Sequence, residues 1–301
     1  MRVAITGASG FIGQALIPAL QAAGHTPIAV SHSVGAARQR LPGIEVIDFN
    51  AAIADWPAVE AVINLMGESV AGRWTSEKKR QIYDSRVIGT RKLIEAIGRA
   101  SQRPHSFLSA SAVGYYGDGG EQPLTETSPP GRTFLATVCV DWEREVQHAE
   151  ALGVRTAIVR TAVVLGPRGA LAALLPLFRL GLGGPVGSGR QWFPWISRQD
   201  LVRLYLFLLE GDHRGVFLGS GPQPVRQAEF ARVLGAALGR PALVPTPAFA
   251  LRLALGEFAS ELLESRRCIP ERTLAVGFTF THPTVGEAIR SALAEPARAG
   301  K

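Results

Sequence analysis

Near the N-terminus stands Val3-Ala-Ile-Thr6-Gly7-Ala-Ser-Gly10-Phe-Ile-Gly13. Val3–Thr6 is a short apolar run of strand character, and Phe11–Ala23 then takes up a helical period that ends at Gly24. Thr26–Val30 is strand-like again, so the chain opens as a βαβ unit. In such a unit each glycine has its own role. Gly7 permits the tight turn, Gly10 lets the backbone approach a diphosphate, and Gly13 lets helix and strand pack closely. The helix then offers its free N-terminal amides to the anion. The position of the three glycines, after a strand and before a helix, makes this a dinucleotide-binding loop.

Working outward, strands are expected at Glu45–Asp48, Ala61–Leu65, Ser106–Ala110 and Thr156–Leu165, and helices over Ser76–Arg99 and Phe134–Leu152. Strands alternating with helices predict an α/β fold, a Rossmann-type doubly wound parallel sheet covered on both faces. Pro18 is a misfit, since inside the first helix it removes an amide donor and should kink the helix. After Leu165 the texture changes to glycine- and proline-rich loops such as Gly181-Leu-Gly-Gly-Pro185, with helices near Gln227–Leu238 and Phe249–Leu263. The expected division is a nucleotide-binding domain over 1–165, completed by about 201–221, and a smaller mixed C-terminal lobe over 166–301. Gly215–Gly219 reads as a strand returning to the main sheet.

The chain has 301 residues, 47% of them hydrophobic, which is ample for a large core. Its net charge of +7 would ordinarily suggest an anionic partner. The basic residues, almost all arginine, are scattered among acids, and the motifs of nucleic-acid readers are missing, so no nucleic acid partner is expected. Cys139 and Cys268 are too few and too isolated for a disulfide framework or a metal site, and no metal is expected. The apolar stretch Ala170–Val186 is interrupted by Pro176, Arg179 and glycines, so it cannot span a bilayer, and no membrane partner is expected. A reducing, cytoplasmic setting follows.

Cofactor choice is read at the end of the second strand, where an acid would bond the adenosine ribose of NAD. Ser31-His32-Ser33 contains no acid, and Arg38 and Arg40 follow shortly after. Hydroxyls, an imidazole and guanidiniums suit a 2′-phosphate that a carboxylate would repel, which favours NADP over NAD.

Together with Asn64-Leu-Met-Gly-Glu68 after one strand and Ser111-Ala-Val-Gly-Tyr115-Tyr-Gly117 after another, this half resembles the extended short-chain dehydrogenase/reductases. The whole chain resembles their atypical epimerase-like subfamily with a C-terminal domain of unknown function. Arg73-Trp-Thr75, Ser85-Arg86-Val-Ile-Gly-Thr90, Phe134-Leu-Ala136 with Cys139, Trp142-Glu143, Gly187-Ser-Gly-Arg-Gln-Trp-Phe-Pro-Trp195, Leu255-Gly-Glu257 and Gly277-Phe-Thr-Phe280 carry the likeness. The resemblance implies that Ser9, Phe11 and Ile12 join Gly7, Gly10 and Gly13 around the pyrophosphate. It also implies that Asp48 and Phe49 lie near the adenine, and that Leu65, Met66 and Gly67 line the path to the nicotinamide. Two departures stand out. The subfamily has arginine where His32 stands, and it reads Trp-Ile-His-x-Asp-Asp where this chain has Trp195-Ile-Ser-Arg-Gln-Asp200.

Enzymes of the wider family use a Tyr-x-x-x-Lys pair in which lysine lowers the phenol pKa. None of Tyr83, Tyr115, Tyr116 and Tyr205 has a lysine four residues on, and no lysine lies between Lys92 and Lys301. Aligned by Trp142-Glu143, Leu135 falls near the tyrosine position and Cys139 near that of the lysine, a loss that the resembling subfamily shares. Ser111 matches the hydroxyl that bonds a substrate carbonyl in the wider family. Tyr115 and Tyr116 are the phenols near that strand end, and Arg86 is the candidate cation. Glu68 reads equally as a base or as a loop cap, and Cys139 as a small buried residue. The aromatic run Trp192, Phe193 and Trp195 suits either a stacked sugar or packing between lobes.

Two readings follow. One is an NADP(H)-binding, epimerase-like oxidoreductase acting on an unidentified small carbonyl or alcohol, with nucleotide-sugar-like compounds among the candidates. The other is a non-catalytic NADP(H)-responsive protein whose second lobe engages a protein partner.

Overall fold

In the computed structural model, which describes residues 1–295, the opening unit is β1 (Arg2–Thr6), α1 (Gly13–Ala22) and β2 (Thr26–Ser31). It continues through α2 (Val34–Arg40), β3 (Glu45–Asp48), α3 (Phe49–Ala54) and β4 (Ala61–Asn64). Residues 296–301 of the expected second lobe lie outside the described residues. The helix expected over Ser76–Arg99 is two, α4 (Ser76–Tyr83) and α5 (Gly89–Arg99), joined by a π-helical turn at Asp84–Ile88. Next come β5 (Ser106–Ala112), β6 (Pro123–Leu124), α6 (Phe134–Ala151), β7 (Arg155–Thr161) and β8 (Val163–Leu165).

The remainder comprises α7 (Ala170–Arg179), β9 (Trp192–Phe193), β10 (Trp195–Ser197), α8 (Arg198–Glu210), β11 (Gly215–Gly219), β12 (Val225–Arg226) and α9 (Gln227–Ala237). It ends in α10 (Ala248–Leu255), α11 (Phe258–Leu263), β13 (Arg267–Cys268), α12 (Glu271–Ala275) and α13 (Val285–Ala294).

Seven parallel strands form the central sheet in the order β11-β7-β5-β4-β1-β2-β3. The order reverses between β1 and β4, so the crevice where ligands of such sheets bind opens at the C-terminal ends of these two strands, beside Gly7 and Leu65. One face of the sheet is covered by α1 and α8, which bring Leu16 and Leu20 together with Leu204, Tyr205 and Leu208. The other face is covered by α3, α5 and α6 through Leu93, Ile97, Trp142 and Val146. On α6 the buried positions Leu135, Val138, Cys139, Trp142, Val146 and Ala149 recur at steps of three and four, the stripe a sheet-facing helix needs.

Further expectations change. The strand over Thr156–Leu165 breaks at Ala162: β7 stays in the central sheet, while β8 leaves it to pair with β10. The helix over Phe249–Leu263 breaks at Gly256, which adopts φ +60. Pro18 stays, exposed, within the ten-residue α1 and does not end it. Helices α7 and α8 fall where loops were expected. The second lobe has its own core, with Phe178, Trp195, Phe230, Leu234 and Ile289 buried together. No described helix is long and apolar enough to cross a membrane.

Candidate functional site

The glycine loop has the geometry its sequence implies. Gly7 sits at φ +67, and a Cβ there would lie 2.5 Å from the Leu65 carbonyl oxygen, because the loop passes over the end of β4. At Gly13 a Cβ would lie 2.4 Å from the Ala8 oxygen, the close helix–loop approach that only glycine allows. Gly10 faces solvent and hydrogen-bonds back to the Gly7 oxygen at 2.9 Å. Between them, Ser9 accepts through its carbonyl from Gln14 Nε2 at 2.8 Å, and Arg168 Nη1 donates to Gln14 Oε1 at 3.1 Å. Phe11 packs on Gly166 and Gly169 and beneath the Arg198 guanidinium, so the segment after β8 is seated on the loop. Ile12 precedes the first residue of α1 and accepts from Ala15 and Leu16.

At the end of β2, Ser31 is half-buried while His32 and Ser33 are exposed. The His32 ring lies over buried Phe49, centroids 4.1 Å apart. Asp48 is the register partner of Ser31, but its carboxylate accepts from the amides of Asn50 and Ala51 at 2.8 and 3.1 Å and so caps α3. Arg38 and Arg40 stand exposed in the last turn of α2, with no ion pair among the described residues. After β4, Leu65, Met66 and Gly67 run along the Gly7 turn, with Met66 packed against Gly89 and Gly67 against the Arg86 guanidinium.

Behind this crevice lies a buried network. Asn64, with no exposed surface, accepts from Thr6 Oγ1 at 2.7 Å and donates to Thr90 Oγ1 at 2.9 Å and Ser109 Oγ at 3.2 Å. Trp142 Nε1 also donates to Thr90 Oγ1, tying α6 to α5.

The candidate catalytic residues divide into two groups. Ser111 is buried and pairs in register with Arg160 of β7. Its Oγ donates to Glu143 Oε1 at 2.6 Å, and Arg160 grips the same carboxylate with Nε and Nη2, each at 2.8 Å. Arg160 Nη1 donates in turn to the Tyr116 hydroxyl and the Glu126 carbonyl, each at 3.1 Å, and its guanidinium lies 3.4 Å from the Tyr115 ring centroid. Ser111, Tyr115 and Tyr116 are thus brought together by Arg160 and Glu143.

Tyr116 is buried and donates to the Thr125 carbonyl at 2.8 Å. Burial raises its phenol above the ordinary tyrosine value, against the opposing pull of Arg160. The Tyr115 ring is half-buried, and its hydroxyl has no protein hydrogen-bond partner among the described residues.

Arg86, the cation expected beside these tyrosines, is elsewhere. The π-helical turn points it at the Glu68 and Ile82 carbonyls, 2.9 and 3.2 Å away, and over the Trp142 ring. Desolvation lowers its pKa. Glu68 is exposed and pairs with Lys78 at 2.5 Å. Cys139 is buried, its Sγ 3.7 Å from the Ala112 carbonyl, and burial pushes its thiol up to about 11, which matches a packing role rather than a nucleophile. Among the described residues no cluster of three or more His, Cys, Asp or Glu could hold a metal.

Sequence reasoning quoted Glu143 only within a motif and passed over Arg160. The signal was present in the chain: Arg160 interrupts the apolar run of β7, and a charge inside a buried strand must be paired.

The aromatic run and the altered Ser197–Asp200 segment belong to packing. Trp195 is buried and donates to the Gln223 carbonyl at 3.2 Å, and Phe193 stacks on Phe230 at 4.4 Å. Trp192 lies 3.8 Å beneath the Arg226 guanidinium and donates to Glu121 at 3.1 Å. Ser197 caps α8, and Asp200, fully buried, accepts from the amides of Thr281 and His282 at 2.7 and 2.9 Å.

The C-terminal lobe closes on the site from one side. Arg266 donates to the Gly117 carbonyl at 3.0 Å and pairs with Glu261 at 2.7 Å and with Glu264. Trp74 lies between Phe134 and Phe258, at 5.2 and 5.8 Å.

Comparison with known proteins agrees with this architecture. Residues 3–217 match the NAD dependent epimerase/dehydratase family, and residues 246–292 match a domain of unknown function. A chloroplastic epimerase family protein of Arabidopsis thaliana is 40% identical over 97% of this chain and 86% of its own length. An epimerase family protein of Mycobacterium bovis is 41% identical over 98% of each chain. The crystal structure of human epimerase family protein SDR39U1 (isoform 2) with NADPH superposes with a TM-score of 0.89 at 36% identity, covering 97% of this chain and 99% of that one. A nucleoside-diphosphate sugar epimerase from Corynebacterium glutamicum is 33% identical with a TM-score of 0.77, over 97% of this chain and 58% of that one. With its glycine loop at the switch point of a doubly wound sheet, and with that match over most of its length, the chain belongs to the NAD dependent epimerase/dehydratase family.

Proposed function

We propose that the protein is an NADP(H)-dependent, epimerase-like oxidoreductase that acts on a small carbonyl or alcohol without a Tyr-x-x-x-Lys pair. The observation that carries the reading is the glycine loop: Gly10 leaves the approach to the α1 amides free of a side chain, as a diphosphate requires. The acid-free end of β2, with Asp48 turned into its own helix cap, supports NADP over NAD. The NADPH in the human relative's structure is consistent with that preference. Gly7, Ser9, Gly10, Phe11, Ile12 and Gly13 would hold the diphosphate, Ser31, His32 and Arg38 the 2′-phosphate, Asp48 and Phe49 the adenine side, and Leu65–Gly67 the nicotinamide side. Residues 1–165 with the returning strand form the nucleotide domain, and 166–301 the substrate or partner lobe. Two buried, unpaired cysteines support a reducing, cytoplasmic compartment.

Held by these residues, NADP(H) would supply the hydride chemistry. The residues of this chain handle the substrate oxygen. The Ser111 proton is committed to Glu143, so its oxygen keeps lone pairs with which to accept a hydrogen bond from a substrate hydroxyl. The unpartnered phenol of Tyr115 is the donor left for a carbonyl. Arg160 spans both, as Arg86 was expected to do.

The second reading, a non-catalytic NADP(H)-responsive protein, draws support from Tyr116, whose hydroxyl is engaged on both sides. Fluorescence titration tests the cofactor: NADPH should bind about tenfold or more tighter than NADH. An NADH affinity equal to or above that for NADPH overturns the preference. Stopped-flow oxidation of bound NADPH across a carbonyl library separates the two readings. Tyr115→Phe should slow this single turnover about tenfold or more, by removing the donor to the carbonyl, whereas Arg86→Gln and Tyr116→Phe act less. Ser111→Ala should slow the reverse oxidation of an alcohol by bound NADP, by removing the acceptor for the substrate hydroxyl. If no carbonyl is reduced by the NADPH-loaded protein, the binding reading replaces the enzyme reading.

A further inference from the structure

The second lobe displays an apolar surface that nothing among the described residues covers. Leu180, Leu182, Leu243, Val244, Phe249 and Leu253 are 73, 54, 80, 46, 72 and 79% exposed. Scattered exposed leucines need no explanation, but these are gathered in one place. Leu180 and Leu182 follow directly on α7, and the next residue, Gly183, accepts the Val244 amide at 3.2 Å. Pro185 accepts the Thr246 amide at 2.8 Å, which seats the segment Leu243–Thr246 beside the end of α7. Helix α10 starts immediately after it. Phe249 and Leu253 are four residues apart on one face of α10, and no residue of that helix is buried.

Charge gives the patch its direction. The sequence has no Asp or Glu between Ala170 and Gln199, and none between Phe230 and Gly256. The charged residues interleaved with the exposed apolar ones are Arg179, Arg240 and Arg252, all exposed and without an ion pair among the described residues. The first acid beyond, Glu257, is paired with Lys79 at 2.5 Å. Apolar segments whose own charged residues are all cations suit a partner that is apolar and anionic, and a bilayer with acidic headgroups offers both.

We propose that this face of the second lobe docks the protein onto an anionic lipid bilayer, with Leu180, Leu243, Phe249 and Leu253 entering the headgroup–acyl boundary and Arg179, Arg240 and Arg252 meeting lipid phosphates. The expectation of no membrane partner rests on the lack of a spanning segment, and none of the described helices is one. Surface docking requires no span.

Vesicle co-sedimentation of the full chain tests this independently of any turnover. The protein should pellet with phosphatidylcholine vesicles carrying about one-third phosphatidylglycerol, stay in the supernatant with pure phosphatidylcholine, and be released as salt rises. Arg252→Gln should lower the partition about fivefold, near 1 kcal/mol per headgroup contact. Phe249→Ser with Leu253→Ser should lower it about tenfold or more. Circular dichroism and NADPH titration on the same samples verify that the variants are folded. Absence of pelleting with anionic vesicles overturns the proposal, as does binding that both variants leave unchanged. A concentration-dependent dimer in sedimentation velocity that the Phe249/Leu253 variant dissolves would overturn it too, by naming a second copy as the occupant.

Discussion

Replacing Glu143 by glutamine probes the centre of the site with the least change in shape. The carboxylate receives three hydrogen bonds, from Ser111 Oγ at 2.6 Å and from Arg160 Nε and Nη2 at 2.8 Å each, and both charged side chains are almost fully buried. Arg160 offers only donors. A carboxamide keeps one acceptor and turns a donor toward the other guanidinium nitrogen, so one bond becomes a donor–donor contact and the buried cation loses its counter-charge. Breaking a buried pair from one side is worth about 3–5 kcal/mol. At an m-value of about 3 kcal/mol/M in urea for a protein of this size, the unfolding midpoint should fall by roughly 1 M or more. The assay is equilibrium urea denaturation followed by tryptophan fluorescence and circular dichroism. The double variant Glu143→Met with Arg160→Met removes both charges and should recover at least half of the loss, because an apolar pair of similar volume avoids the desolvation term. Arg160 also serves the Glu126 carbonyl, so full recovery is not expected. A midpoint shift below about 0.3 M for Glu143→Gln would refute the view that this pair is a buried structural unit. So would a double variant no more stable than the single one.

Two further outcomes are expected. Gly10→Val should abolish NADPH binding in calorimetry while the circular dichroism spectrum is retained, since its Cβ alone would already lie 3.0 Å from the Gly7 oxygen and its methyls would fill the approach to the α1 amides; unchanged affinity in a folded variant would make the loop merely structural. Burial pushes Glu264 up to about 7, against the pull of Arg266 and with the help of Glu261 and Asp118, so its folded-state pKa exceeds the unfolded one. Its contribution to stability is therefore full below about pH 4.5 and is lost as pH rises through about 7. Glu264→Gln should match the parent melting temperature near pH 4.5 and exceed it at pH 8; equal melting temperatures at both would remove the effect.

The backbone plan was legible because it follows from local rules. A strand, three spaced glycines and a helix specify a βαβ turn whatever lies elsewhere, and the alternation of elements up to Thr161 requires a parallel sheet. The absence of an acid after β2 and of any lysine four residues beyond a tyrosine are also properties of the chain alone. What the sequence could not supply is which distant side chains meet. Arg86 was the nearest cation by alignment, yet a π-helical turn, invisible to a helical period, aims it at the Glu68 carbonyl. The cation that reaches the tyrosines is Arg160, because the parallel register of β5 and β7 sets it beside Ser111 and α6 lays Glu143 across both. Register, helix placement and the break of the expected long strand at Ala162 are tertiary quantities, fixed by how the sheet buries its two faces rather than by any local propensity. The same holds for the exposed face at α7 and α10: the identity of an apolar residue does not say whether it is covered, and only the packed structure leaves these uncovered.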